Sequence, residues 1–199
     1  MKNLPIYDVL DDIKTTLNTE STLILEAPPG AGKSTVVPIS LLNESWLGNK
    51  VIIMLEPRRV AARMVAVQMA KLLGEEVGQS VGYQVKMESC YSKQTKLLVV
   101  TEAILVRKLQ SDQALEDVAM VIFDEFHERS IHTDLSLALC LQVQELLRDD
   151  LKLLIMSATL DSLELTNLLG KIPVISSKGK IYDVENIYLE TNIKQPDSK

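Results

Sequence analysis

The sequence lacks several features that would place it in a specialised class of protein. It has only two cysteines, Cys90 and Cys140, without CxxC spacing, which predicts reduced thiols rather than a disulfide framework or a metal site. No stretch approaches the roughly 20 apolar residues of a membrane span, and the first residues carry acids rather than a targeting pattern. We therefore expect a soluble, cytoplasmic protein with no membrane partner.

The chain also lacks a basic excess, an internal repeat and low-complexity segments. Its formal net charge is −6, which argues against a surface that coats nucleic acid by charge alone, so any such contact must be local. Its 199 residues are 46% hydrophobic, enough for one buried core. The sequence predicts one domain over residues 1–182, followed by a strand and polar linker over residues 183–199.

Continuous apolar runs alternate with segments of helical spacing. These runs begin at Thr22, Lys50, Lys96, Met120 and Leu151. Continuity, rather than alternation of apolar and polar residues, is typical of strands covered on both faces. Residues 60–73 and 135–147 show helical spacing between the runs. The alternation predicts an α/β fold with a mostly parallel β-sheet and helices on both faces.

The segment EAPPGAGKST, residues 26–35, follows the first run and approaches the phosphate-binding pattern GxxxxGK[ST], with Ala27 at the first position. Its glycines let backbone N–H groups turn toward phosphate oxygens, and the next helix adds its positive end. Lys33 would meet the β- and γ-phosphates, and the Ser34 hydroxyl would bind Mg²⁺. The candidate cradle comprises Pro29, Gly30, Ala31, Gly32, Lys33, Ser34 and Thr35. The alternative is an ordinary glycine-containing turn between a strand and a helix.

A second polar segment, DEFHERS, follows the fourth apolar run. Asp124 is a candidate Mg²⁺ ligand opposite the cradle serine, and Glu125 is placed to orient and deprotonate an attacking water. The alternative is that both carboxylates cap the following helix. His127 and His132 do not fit a zinc-protease helix, because HExxH puts two imidazoles on one face and HERSIH has one residue more.

These motifs together resemble the DEAH-box RNA helicases of superfamily 2, and especially the bacterial members of that family. DEFHER is similar to the DEAH box, with Phe126 where the family name has Ala. EPRRVAAR, VGYQVKMES, TEAIL and MSATL, which begin at Glu56, Val81, Thr101 and Met156, resemble further motifs of the family in the same order. The resemblance spans most of residues 20–190 and implies a RecA-like P-loop NTPase domain that uses ATP and Mg²⁺.

The resemblance also implies roles that spacing alone does not reveal. Arg58, Arg59 and Thr101 would contact the phosphates of single-stranded RNA, with DNA open as an alternative. Ser157 and Thr159 would couple the nucleotide side to the nucleic-acid side. His127 would join the catalytic set of Lys33, Asp124 and Glu125 by reaching a partner domain when ATP closes the cleft.

Two departures from the family pattern limit what this chain can do. Gln68 stands where relatives often have an arginine that stacks on the nucleotide base, and glutamine offers no such cation. The second RecA-like domain, with its arginine fingers, does not occur in these residues. We therefore expect an N-terminal lobe that is monomeric, is nearly inactive alone, and works with a second RecA-like domain of the same protein.

Two other functions are compatible with parts of the sequence. A nucleotide-switched binding module would need the phosphate cradle but not EPRR, TEAIL or SAT, and a guanine-specific switch would also carry an NKxD motif. A catalytically inert RNA-binding scaffold would not need Lys33, Ser34, Asp124 and Glu125 together. The ordered set of motifs favours the helicase lobe.

Overall fold

Eight strands form one sheet in the order β4-β3-β5-β2-β6-β7-β1-β8. The structure, a computed structural model, describes residues 4–158 and 170–178. The strands are β1 (Thr22–Glu26), β2 (Val51–Leu55), β3 (Val81–Val85), β4 (Glu88–Cys90), β5 (Leu97–Val100), β6 (Val118–Phe123), β7 (Lys152–Ser157) and β8 (Val174–Ser176). All neighbouring pairs are parallel except β3 with β4, which is antiparallel.

Among the described residues, five α-helices and three short 3-10 turns connect these strands. The helices are α1 (Leu10–Thr19), α2 (Lys33–Ser40), α3 (Arg59–Leu73), α4 (Glu102–Ser111) and α5 (Ile131–Leu146), and the 3-10 turns are Pro5–Val9, Ser45–Leu47 and Phe126–Glu128. Two separate hydrophobic clusters cover the two faces of the sheet, one with residues of α1, α2 and α3 and the other with residues of α4 and α5. The predicted fold class is confirmed.

The central strands explain why the apolar runs are continuous. In β1, Leu23 and Leu25 belong to the first cluster, whereas Ile24 between them belongs to the second. Every residue of β1 and of β6 is buried, because successive side chains point to opposite faces and each face is covered by helices.

The structure departs from the predicted elements at a few places. Helix α5 begins at Ile131, four residues before the predicted start, because Ser130 caps it. The segment after β3 forms a short strand, β4, which pairs antiparallel with β3 and begins with no apolar run. Strand β8 was not predicted, since it has only three residues, two of them exposed, and directly follows Pro173. The predicted strand and linker over residues 183–199 lie outside the described residues.

No helix among residues 4–158 and 170–178 is long and apolar enough to cross a membrane.

Candidate nucleotide site and adjoining surface

Five neighbouring parallel strands bring the predicted site residues to one edge of the sheet. In sheet order these strands are β5, β2, β6, β7 and β1. At or just beyond their carboxyl ends lie, in the same order, Thr101, Arg58, Asp124, Ser157 and Lys33. Open α/β sheets bind ligands outside the carboxyl ends of their strands. The predicted nucleic-acid residues therefore occupy one half of this edge, and the predicted nucleotide residues occupy the other.

The glycine-rich loop between β1 and α2 requires glycine at two positions. Gly30 has a φ of +77° and Gly32, which precedes α2, has a φ of +98°, a region that side chains with a Cβ disfavour. A Cβ on Gly32 would lie 2.9 Å from Cδ1 of Leu4 and 3.1 Å from Cγ2 of Ile6. The N-terminal segment thus packs against the loop, and the Ile6 N–H donates to the Ala31 carbonyl at 3.3 Å.

Lys33 faces an anion in the structure. Its side chain is only 4% exposed, and its Nζ donates to Oε1 of Glu125 at 2.8 Å. Glu125 leaves β6 with a φ of +48°, so the chain turns sharply at this residue. Residues 92 positions apart in the sequence therefore form a charge-assisted hydrogen bond at the mouth of the glycine loop.

Asp124 lies deeper than Glu125 and is 1% exposed. Burial raises the pKa of Asp124 to about 6, although the nearby Ser34 hydroxyl and the charge of Lys33 act in the opposite direction. Its Oδ1 accepts the Glu125 N–H at 2.9 Å, whereas its Oδ2 is buried without a hydrogen-bond partner among the described residues. An unpaired carboxylate oxygen beside a hydroxyl fits a hard, oxygen-seeking cation such as Mg²⁺.

The alternative that Asp124 and Glu125 cap the next helix is wrong. Ser130 is the N-cap of α5, and its Oγ accepts the Thr133 N–H at 3.0 Å. The Ser130 and Thr133 hydroxyls both donate to Oε1 of Glu102, at 2.5 Å and 2.7 Å. Because Glu102 follows Thr101 directly, this hydrogen-bonded group connects the TEAIL segment to the end of DEFHERS.

The turn Phe126–Glu128 joins the acidic site to the core. Phe126 is 2% exposed and packs edge-on against Phe123, with ring centroids 6.3 Å apart. Nδ1 of His127 lies 3.3 Å from Oε2 of Glu125 and 3.4 Å from the N–H of Ala158. Within this lobe His127 therefore contacts the SAT segment, and its predicted contact with a partner domain stays a prediction.

The two candidate nucleic-acid arginines are exposed, and each donates a hydrogen bond within the lobe. Nη2 of Arg58 donates to Oε1 of Glu128 at 2.6 Å, and Nη2 of Arg59 donates to the carbonyl of Lys86 in the β3–β4 turn at 2.8 Å. Thr101 is the N-cap residue of α4 and is 7% exposed. Thr101 therefore lies at a helix start, beside backbone N–H groups that are free of helical partners.

The predicted coupling residues divide between described and undescribed parts of the chain. Ser157 ends β7 and is 4% exposed, and its carbonyl accepts the Ala27 N–H at 3.0 Å. This contact ties the SAT segment directly to the start of the glycine loop. Thr159 lies outside the described residues. Gln68 lies on the exposed side of α3.

Sequence reasoning gave no role to Glu56, which lies between the two halves of the edge. Its side chain is 4% exposed. Burial, followed by the negative charge of Asp124, raises the pKa of Glu56 from its ordinary 4.5 to about 8. A glutamate that follows a strand and precedes Pro-Arg-Arg resembles a loop residue, so no local signal reveals its burial.

We expect Glu56→Gln to stabilise the fold at alkaline pH. Between pH 4.5 and about 8 the folded state binds more protons than the unfolded state, so the free energy of unfolding falls as pH rises through this interval. An amide does not ionise, so the free energy of unfolding of the variant does not fall for this reason as pH rises. Since one pKa unit corresponds to about 1.4 kcal/mol, the variant should be more stable by on the order of 1–3 kcal/mol at pH 9 and nearly equal at pH 5.

The measurement is denaturant unfolding at a series of pH values. Glu145→Gln, on the exposed side of α5, is the control for loss of one negative charge. Equal stability of Glu56→Gln and wild type at pH 9 would contradict the proposed burial of this carboxyl.

The fold and the glycine loop define an α/β domain of the P-loop class. Within that class the chain belongs to the DEAD/DEAH box helicase family, whose model matches residues 11–168. It is 50% identical over 189 residues to the ATP-dependent RNA helicase HrpB of Escherichia coli, covering 95% of this chain and 23% of that protein. It is 34% identical to the ATP-dependent RNA helicase HrpA of Borreliella burgdorferi, covering 93% and 22%, and 36% identical to mouse DHX29, covering 98% and 15%.

Solved structures give the same result. A crystal structure of the Escherichia coli DExH-box NTPase HrpB superposes with a TM-score of 0.88 at 49% identity, covering 98% of this chain and 24% of that one. A second HrpB crystal structure gives a TM-score of 0.87 at 50% identity, covering 92% and 23%. The resemblance to DEAH-box helicases is confirmed. The chain spans about a quarter or less of the length of these relatives.

Proposed function

We propose that this chain is the N-terminal ATP-binding lobe of an ATP-dependent DEAH-box RNA helicase. In this proposal residues 1–182 form the RecA-like lobe, and residues 183–199 lead to a second RecA-like domain of the same polypeptide. The protein acts as a monomer in the cytoplasm, on RNA, with DNA as the alternative strand. The observation that carries the proposal is the single sheet edge on which Lys33, Ser34, Asp124 and Glu125 adjoin Arg58 and Thr101.

The nucleotide half of the edge would hold ATP and Mg²⁺. The turn from Pro29 to Gly32 and the N–H groups at the start of α2, including those of Ser34 and Thr35, would donate to phosphate oxygens. Lys33 would exchange its Glu125 partner for phosphate oxygens, and Ser34 and Asp124 would be the protein ligands of Mg²⁺. When bound, Mg²⁺ neutralises charge that develops on the phosphates.

Glu125 would then act on water. Once Lys33 turns to phosphate, the Glu125 carboxylate is free to accept a proton from a water molecule aligned with the terminal phosphate. His127 would use Nδ1 either to donate to the same carboxylate, 3.3 Å away, or to accept the N–H of Ala158 in the SAT segment. Ser157 and Thr159 would transmit changes at the glycine loop to the nucleic-acid half.

The adjoining half would bind the backbone of a single strand. Guanidinium groups of Arg58 and Arg59 and the N-terminal end of α4 at Thr101 are donors suited to phosphate oxygens. Contacts of this kind carry no base information, so the lobe would follow a strand without reading its sequence.

Arginine substitution tests the nucleic-acid half separately from the nucleotide half. We expect Arg59→Ala to weaken binding of single-stranded RNA about tenfold, because it removes one charge-assisted contact, and to lower the salt dependence of binding by about one ion. Affinity for an ATP analogue should not change. Titrations monitored by fluorescence anisotropy measure both affinities.

Lys71→Ala is the matched control for this test. Lys71 is exposed and lies in the last turn of the same helix, α3, at the end remote from the sheet edge. If both alanine variants bind RNA as wild type does while Lys33→Ala loses nucleotide binding, a nucleotide-switched module replaces the helicase lobe as the better account.

A further inference from the structure

Arg58 and Glu128 form an ion pair between the two halves of the sheet edge. Arg58 follows β2, and Glu128 ends the turn that follows β6, the neighbouring strand. Their side chains are 72% and 32% exposed, with 2.6 Å between Nη2 and Oε1. An exposed pair of this kind contributes only about 0–1 kcal/mol to folding stability. It is therefore a contact that a ligand can displace.

A carboxylate and a phosphodiester compete for the same donors. Both are anions that accept hydrogen bonds from a guanidinium group, and both do so at short distance. With Glu128 on its Nη2, Arg58 can receive a strand phosphate only if the carboxylate leaves or tolerates a second negative charge beside it. Glu128 thus stands where an anion of the strand would be expected.

A movement of Glu128 would also move Glu125, because the two residues belong to the same short turn. The Glu128 N–H donates to the Glu125 carbonyl at 2.9 Å, so the two residues belong to one turn. This turn is flanked by two non-glycine residues with positive φ, Glu125 at +48° and Arg129 at +38°, a conformation that persists only where surrounding contacts hold it. Lys33 holds the turn at one end, and Arg58 holds Glu128 near the other.

We propose that Glu128 is a positioning residue that occupies the strand-phosphate position at Arg58 in the absence of RNA, and thereby makes ATP hydrolysis depend on RNA. The inference rests on the proposed function, since it requires Arg58 to contact the strand. ATP takes Lys33 from Glu125, as proposed above, and RNA takes Arg58 from Glu128. The turn then loses its second anchor, and Glu125 can move to the attacking water.

Glu128→Gln tests this inference in the two-lobed polypeptide proposed above. The amide is a weaker competitor for Arg58, so the RNA concentration at half-maximal ATPase rate should fall about three- to fivefold, the range of an exposed ion pair. ATP hydrolysis without RNA should rise, while the rate at saturating RNA stays the same. A merely structural role of Glu128 would instead lower the maximal rate and leave half-saturation unchanged.

Two further variants distinguish loss of the Arg58–Glu128 ion pair from a general effect of protein charge on RNA binding. Glu44→Gln also removes one negative charge, from a residue paired with Lys14 at the far end of α2, and should leave RNA binding unchanged. Arg58→Ala should weaken binding of a fluorescent oligouridylate, and adding Glu128→Gln to it should give no gain in affinity.

The outcomes are distinguishable. A gain of affinity that persists in the Arg58→Ala background would overturn the inference, because the effect would then be long-range charge. Weaker RNA binding by Arg58→Ala, combined with no gain in Glu128→Gln, would also overturn it and leave the proposed function intact. Unchanged RNA binding in both Arg58→Ala and Arg59→Ala would overturn the proposed function itself.

Discussion

Lys33→Ala should abolish ATP hydrolysis and greatly weaken nucleotide binding. The amine is 4% exposed and already faces a carboxylate at 2.8 Å, so the site is built around a buried positive charge. Removing one preorganised donor from a transition state typically lowers kcat by about 10²–10³, and Lys33 would also contribute to binding before the reaction. We therefore expect a loss of at least that size in kcat/KM.

The measurement is steady-state ATPase activity of the two-lobed polypeptide, together with titration of a fluorescent ATP analogue. Lys50→Ala is the control, because Lys50 forms a comparable ion pair at 2.8 Å with Asp150 but is 36% exposed and precedes β2 at the opposite end of the sheet. Thermal unfolding checks that the Lys33 variant folds. Near-normal hydrolysis by a folded Lys33→Ala protein would contradict the assignment of the glycine loop.

Glu125→Gln should abolish hydrolysis while keeping ATP bound. Glutamine has the size of glutamate and no Cβ branch, so it preserves the φ of +48° at the end of β6. An amide cannot take a proton from water, and loss of a general base typically lowers the rate by about 10²–10⁴. Binding should persist or strengthen, because ATP no longer has to displace a carboxylate from Lys33.

Single-turnover hydrolysis and equilibrium nucleotide binding, both measured on the two-lobed polypeptide, distinguish this effect from that of Lys33→Ala. Glu145→Gln, on the exposed side of α5, is the control for charge. If Glu125→Gln hydrolyses ATP at a rate near that of wild type, another group activates water. If instead it fails to bind nucleotide, Glu125 acts in binding rather than in the reaction.

The sequence predicted the parts of the fold that arise from local patterns. The five central strands were predictable because parallel strands covered on both faces become continuous apolar runs. Glycines that need positive φ mark the loop around Lys33, and a strand that ends in two acids marks Asp124. By contrast, β8 is short and partly exposed, so its residues carry no pattern that separates them from a loop.

The contacts that organise the site were not predictable from sequence. Lys33 and Glu125 are 92 positions apart, and Arg58 and Glu128 are 70 apart. Their pairing depends on which strands are neighbours in the sheet. An order such as β2-β6-β7-β1 cannot be predicted from the spacing of residues within any one segment. The raised pKa of Glu56 has the same origin, since it comes first from burial and then from the charge of Asp124, which follows the neighbouring strand β6.

The central claim is that these residues form one side of an ATP-binding cleft, and that ATP hydrolysis requires a second lobe on the other side. The most direct test compares RNA-stimulated ATP hydrolysis and duplex unwinding by residues 1–199 alone with those of the same residues joined to a second RecA-like domain. An arginine supplied by another domain can raise phosphoryl-transfer rates by about 10³–10⁵. We expect little stimulation and no unwinding by the single lobe, and both activities in the two-lobed protein. Robust unwinding by the 199 residues alone would contradict the account.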